Sequence, residues 1–141
     1  MDDPYDLERF VAAQNHHGTY EQALVELRRG AKVRHWMWFV FPQIAGLGAS
    51  PTSQRYAIGS LDEARAYLRH EVLGARLREC TSVVAETSGR SAEDIFGRTD
   101  AMKLRSCMTL FRHAAPDETL FQRVLDKYFD GMPDPASEQR L

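Results

Sequence analysis

Two groups of residues in this sequence combine types and spacing that suit binding chemistry. The first is Lys32, Arg34, His35, Trp36, Trp38 and Gln43, followed at once by Gly46-Leu47-Gly48-Ala49-Ser50. Aromatic faces beside cations suit stacking on a planar ring, with charge left over for phosphate. A glycine-bearing loop that ends at a helix start offers backbone N–H groups to an anion. His35 is the candidate acid or base, because imidazole titrates near neutral pH. The second group is Asp100, Lys103, Ser106 and Thr109. Lys103, Ser106 and Thr109 recur every three residues, so they follow one face of a helix. A lysine with two hydroxyls makes an anion cradle; the same pattern also describes a solvated polar face with Asp100 as its cap. The expected site joins Trp38, Gln43, Gly46 and Gly48 to Lys103, Ser106 and Thr109, provided the two groups converge in space. Trp36, Phe39 and Val40 fall on one helical face and are expected in the core.

These residues need helices to carry them. Alternating strand patterns are nearly absent, while helix starts recur along the chain. Asp3-Pro4 reads as a cap followed by a first-turn proline. Thr19 to Gln22 and Ser60 to Glu63 read as capping boxes, and Gly30 as a helix stop. Ser50-Pro51, Ser91 to Asp94, Asp100 and Pro116-Asp117 mark further starts. Stripes follow each of the longer ones: Leu73, Leu77, Cys80 and Val84, then Leu104, Met108, Phe111 and Ala115, then Leu120, Phe121, Val124, Leu125 and Tyr128. The aromatic segment, apolar on several sides, predicts a buried central helix stopped by Pro42. Pro133 and Pro135 predict a loose tail.

The bulk composition excludes several classes. At 141 residues, 43% hydrophobic and 27% charged, the chain matches one ordinary globular domain. A formal charge of −2 argues against a dedicated nucleic-acid binder. No apolar run approaches the roughly 20 residues of a membrane span, and the acidic start Met1-Asp2-Asp3-Pro4 has no apolar signal region after it. The cytoplasm is the expected location. Cys80 and Cys107 fall in apolar helical stripes and read as buried free thiols. The histidines show no metal-ligand spacing, so neither a metal nor another cofactor is expected. No Gly-x-Ser-x-Gly supports a serine nucleophile. Arg28, Arg29, Lys32 and Arg34 form the one local positive run. Arg28 and Arg29 read as cations that offset the dipole at a helix C-terminus.

The motifs themselves resemble a known family. His35-Trp36-Met37-Trp38-Phe39-Val40-Phe41-Pro42-Gln43, Gly46-Leu47-Gly48, Leu73-Gly74-Ala75-Arg76-Leu77, and Ile95-Phe96-Gly97 through Asp100, Lys103, Leu104, Ser106, Met108, Thr109, Leu110 and Phe111 look like the bacterial family called domain of unknown function 1810. The resemblance runs from about Asp3 to Phe129. It implies a small, single-domain, mostly α-helical fold, as in a mycobacterial hypothetical protein of the family, and it implies no established activity. The label "calpastatin" carried by some members does not suit this chain, because calpain-inhibitor repeats are disordered and such segments have few aromatics and low hydrophobicity. Cys107 stands where the family motif often has a second serine after Ser106.

The expected architecture is an all-α globule of about eight short helices over residues 1–131, with a tail at 132–141. The expected function is binding of a small anionic ligand of nucleotide or ADP-ribose type in an aromatic-walled pocket, with catalysis left open. The alternative is a non-catalytic protein-interaction module or homodimer, for which an exposed apolar patch is required.

Overall fold

A computed structural model describes residues 3–141. Among them the regular structure is helical, with one isolated parallel bridge between Ile44 and Ile58. The helices are α1 (Glu8–Asn15), α2 (Thr19–Arg29), α3 (Met37–Val40), α4 (Pro51–Arg55), α5 (Leu61–Arg69), α6 (Glu71–Glu86), α7 (Ala92–Phe96), α8 (Arg98–Ala114), α9 (Leu120–Tyr128) and α10 (Pro135–Glu138). A 3₁₀ turn, His16–Gly18, joins α1 to α2.

The core is built on the two longest helices. α5, α6, α9 and α8 touch in a closed cycle, with α2 against α6, and α7 and α10 against α8. α8 is buried on most of its circumference, from Ala101 and Leu104 through Cys107, Met108, Leu110 and Phe111. Aromatic contacts run across the cycle: Tyr67 lies 5.4 Å from Phe111, which lies 5.9 Å from Phe121. Phe10 of α1 meets Tyr67 edge-on at 5.2 Å. Gly74 lets α6 start immediately beside α5, since a Cβ there would overlap the Leu68 carbonyl. Both cysteines are buried and unpaired, as their stripes imply.

Several starts use the expected chemistry. Ser50, Ser60 and Ser91 accept the N–H three residues on, and Ser91 with Asp94 forms a complete capping box. Gly30 closes α2 in the left-handed conformation, at φ 72°. Other starts differ from expectation. The Asp3 carboxylate does cap, but through the N–H groups of Leu7 and Glu8, so α1 begins after Pro4 instead of at it. Thr19 donates back to the His16 carbonyl, and left-handed Gly18 takes the cap position of α2. Asp100 lies inside the first turn of α8, two residues past its start. Thr119, not Pro116-Asp117, precedes α9.

Two larger differences concern function. The aromatic segment forms a single turn, α3, shorter than the buried central helix expected there. Its backbone is caught between other elements: Gln14 Nε2 donates to the Phe39 carbonyl at 2.7 Å, and the Ile44–Ile58 bridge pins the chain just beyond Pro42. The segment after Gly131 is docked against α8, not loose. Asp134 and Ser137 are buried, and the Asp134 carboxylate caps α10 by accepting from the Ser137 N–H at 2.9 Å.

Candidate functional site

The Trp36 and Trp38 side chains part company across α3. Trp36 is 1% exposed and its Nε1 donates to Glu26 Oε1 at 2.9 Å. Glu26 is itself 2% exposed. It also accepts from the backbone N–H groups of Val33 and Arg34, at 2.6 and 3.0 Å, and from the Arg34 guanidinium at 3.0 Å. Burial alone would raise the Glu26 carboxyl, but these donors outweigh it and hold the group below the ordinary glutamate value. Lys32 lies 5.1 Å from the Trp36 ring centroid and pairs with Asp100 at 2.7 Å. Trp36, Glu26, Lys32 and Asp100 therefore fasten the aromatic turn to α2 and α8.

Trp38 faces a different environment. It lines a small cavity with Gln43, Gly46, Gly48, Tyr56 and Lys103. Its indole nitrogen is buried, and no protein acceptor reaches it among the described residues. Lys103 Nζ sits 4.9 Å from the Trp38 ring centroid and 3.4 Å from Asp100. The Gln43 carbonyl accepts from the Ile58 N–H at 2.8 Å, which fixes the floor of the cavity. At Gly48 a Cβ would overlap the Ser53 side chain, so α4 closes tightly on the loop. Gly46 has φ 98°, and the Arg140 guanidinium occupies the place a Cβ would take.

The two sequence groups thus converge through Lys103, but not through its helical neighbours. Ser106 Oγ donates to Asp134 Oδ2 at 3.2 Å, and Thr109 Oγ1 accepts from the Asp134 N–H at 2.9 Å. Both are buried against the C-terminal segment. Helical phase explains the split. Arg105, Ser106, Thr109, Arg112 and His113 form one stripe of α8, and Lys103 points roughly 120° from its centre at 100° per residue. Every member of that stripe holds residues 132–138: Arg105 donates to the Met132 and Pro133 carbonyls, and Arg112 and His113 both meet the Glu138 carboxylate. The stripe delivers Arg140 to Gly46. His35 is exposed on the loop before α3 and does not line the cavity.

Sequence reasoning missed Arg140, Asp134 and Glu26. A signal existed for Asp134, since Asp134-Pro135 repeats the cap-plus-proline pattern of Ser50-Pro51. Arg140 and Glu26 left none, because their partners lie beyond the helix or turn that carries each: Gly46 for Arg140, and Val33, Arg34 and Trp36 for Glu26.

The cavity is tight in this conformation, about 10 Å³, which is room for about one water molecule. Larger hollows lie elsewhere on the surface, including a groove of about 430 Å³ bordered by Arg28, Arg29 and Arg90.

The same fold is known from the crystal structure of the conserved hypothetical protein Rv1873 from Mycobacterium tuberculosis. That chain is 51% identical and superposes with a TM-score of 0.95, over 99% of this chain and 98% of that one. No curated protein matches the sequence. The family model described as a protein of unknown function, DUF1810, matches residues 4–141, and the chain belongs to that family.

Proposed function

We propose that this protein binds a small anionic ligand of nucleotide or ADP-ribose type at the Trp38 cavity. The observation that carries the reading is the buried Trp38 Nε1–H without a protein acceptor, in a wall shared with Gly46, Gly48 and the Lys103 ammonium. A buried donor left unpaired costs about 1–3 kcal/mol, so an acceptor at that position is strongly favoured. Lys103 and Arg140, at the wall and rim of the cavity, supply positive charge for it. Trp38, Gln43, Gly46, Gly48, Lys103 and Arg140 are the binding set; Ser106 and Thr109 serve it through the C-terminal segment. His35 stands outside the set, so the reading is binding, without an acid–base step.

The cavity's size adds a condition. A nucleotide-sized site needs roughly 300 Å³ or more, so the Gly46–Ser50 loop and Arg140 must move aside on binding. Such opening lowers the apparent affinity by the fraction of open molecules. The interaction-module alternative draws less support. Among the described residues, Val25, Val33, Met102 and Met132 are the exposed large apolar side chains; so few on a surface is ordinary.

Calorimetric titration with AMP, ADP-ribose and NAD tests the reading. Trp38→Phe removes the donor and keeps a ring, and Lys103→Met removes the charge and keeps the stem. Each is expected to weaken binding at least tenfold without changing the fold by circular dichroism. Absence of heat and of thermal stabilisation at millimolar ligand would overturn the proposal. So would equal binding by wild type and both variants. A melting temperature that rises with protein concentration would favour the homodimer instead.

A further inference from the structure

Arg28 and Arg29, at the end of α2, line the groove of about 430 Å³ together with Arg90 from the α6–α7 loop; Glu86 and Ser88 are also in its lining. Three arginines and one glutamate thus line one groove, on a chain whose formal charge is −2. Their assembly depends on a specific backbone feature. Gly30 is left-handed, and the Arg90 side chain packs on it, with Cδ 3.0 Å and Nε 3.5 Å from the place of a Cβ. Gly30 therefore admits Arg90 to the end of α2, beside two like charges that repel it.

The protein's own groups compensate that repulsion only in part, through Glu79 beside Arg28 and Asp94 beside Arg90. Arg28 pairs with Glu79 only at 3.9 Å, and both side chains are about half exposed or more; such pairs contribute little. Arg90 donates to the Asp94 carbonyl at 3.1 Å. Arg29 has no carboxylate partner among the described residues. Nor do the arginine side chains serve the last-turn carbonyls of α2 and α6. The Glu26 and Leu27 carbonyls accept from the N–H groups of Gly30 and Ala31. At the end of α6, Val83 is served by Thr87, Val84 by Tyr128 and Ala85 by Lys127.

We infer that this groove binds a diphosphate group. Guanidiniums match phosphate oxygens in forked, two-bond geometry. Three of them in one groove with one glutamate call for an anion of more than one charge, and the groove's volume suits two linked phosphoryl groups. The inference is independent of the Trp38 site, since the two share no residue.

Titration with inorganic pyrophosphate, followed by calorimetry and by backbone amide shifts, tests it. Arg29→Gln and Arg90→Gln are each expected to weaken pyrophosphate binding at least fivefold, and the double variant about twentyfold or more. Affinity should fall steeply with salt. Amide shifts should cluster at Arg28–Gly30 and Thr87–Arg90, and Lys103→Met should leave them unchanged. ADP in place of pyrophosphate separates the sources: equal affinity identifies the free diphosphate, and tenfold tighter binding, still lost in the double variant, identifies a nucleoside diphosphate. Undetectable pyrophosphate binding at 5 mM (about the weakest useful range) would overturn the inference. So would binding that the arginine variants leave intact, or that Lys103→Met alone abolishes.

Discussion

Glu26 shows how much a single buried charge governs around the aromatic turn. It gathers four donors from Val33, Arg34 and Trp36, and so fixes the entry to α3. Its folded carboxyl titrates below the unfolded one, so its contribution to stability is complete above the ordinary glutamate range. That contribution is lost as pH falls through the lowered folded value. Chemical denaturation of wild type is therefore expected to show stability falling between about pH 5 and pH 3. Glu26→Gln is expected to cost about 2–3 kcal/mol at neutral pH, because an amide group replaces an acceptor facing Arg34, and to flatten that acid slope. An unchanged slope in the variant would assign the acid sensitivity to other carboxylates. The thiols offer a second check at this scale. Burial pushes Cys80 up to about 12, with the Tyr20 hydroxyl and the Arg28 and Arg76 charges pulling weakly the other way and Glu79 reinforcing the rise. Burial alone raises Cys107. Thiolate is the reactive form, so a disulfide reagent at pH 8 is expected to label neither cysteine in the native protein and both in denaturant. Fast labelling of the native protein would show that the core opens readily at α6 or α8.

At the scale of elements, the helices with strong local signals were legible. Ser50, Ser60, Ser91 and Gly30 act through atoms within three or four residues, and sequence carries such information directly. α3 was not legible as one turn, because its length is set by Gln14 and by the Ile44–Ile58 bridge, contacts far along the chain. The candidate site was legible in part for the same reason. The aromatic and glycine positions mark it, and Lys103 reaches it. Ser106 and Thr109 were misread because a spacing of three links them to Lys103, whereas the full stripe of α8 runs through Arg105, Ser106, Thr109, Arg112 and His113. Only the partner, Asp134 to Glu138, reveals which face that stripe serves. The docking rests most heavily on Asp134, whose carboxylate accepts from Ser106 Oγ, from Ser137 Oγ at 2.7 Å and from the Ser137 N–H. Asp134→Ala removes that acceptor and the cap of α10. A loss of about 2 kcal/mol is expected from the unpaired hydroxyls and the lost cap, together with faster proteolytic cleavage after Gly131. Unaltered cleavage would mean that Arg105, Arg112 and His113 suffice to hold the segment.

Across the whole molecule, the two kinds of contact imply two depths of stability. α8 touches α5, α7, α9 and α10 and is buried on most sides, so exposing it requires dismantling the closed helix cycle. α10 is held chiefly by polar groups at the rim of the same helix, and Glu138 and its partners are only half-buried. Polar contacts of this kind contribute about 1 kcal/mol each, whereas global stability of a domain this size is roughly 5–15 kcal/mol. The C-terminal segment is therefore expected to open alone, while the rest of the chain unfolds in one step. Hydrogen exchange resolves the two directly. Amides of Leu104 to Phe111 should exchange only through global unfolding, with protection that falls with denaturant at the full slope. The Ser137 amide, bonded to Asp134, should exchange through a local opening several kcal/mol cheaper and nearly independent of denaturant. Asp134→Ala should abolish protection at Ser137 while lowering that of α8 only by its effect on overall stability. Equal protection at Ser137 and in α8 would show instead that the C-terminal segment is integral to the global fold. Opening of the cavity would then fall to the Gly46–Ser50 loop and to rotation of the exposed Arg140 side chain alone.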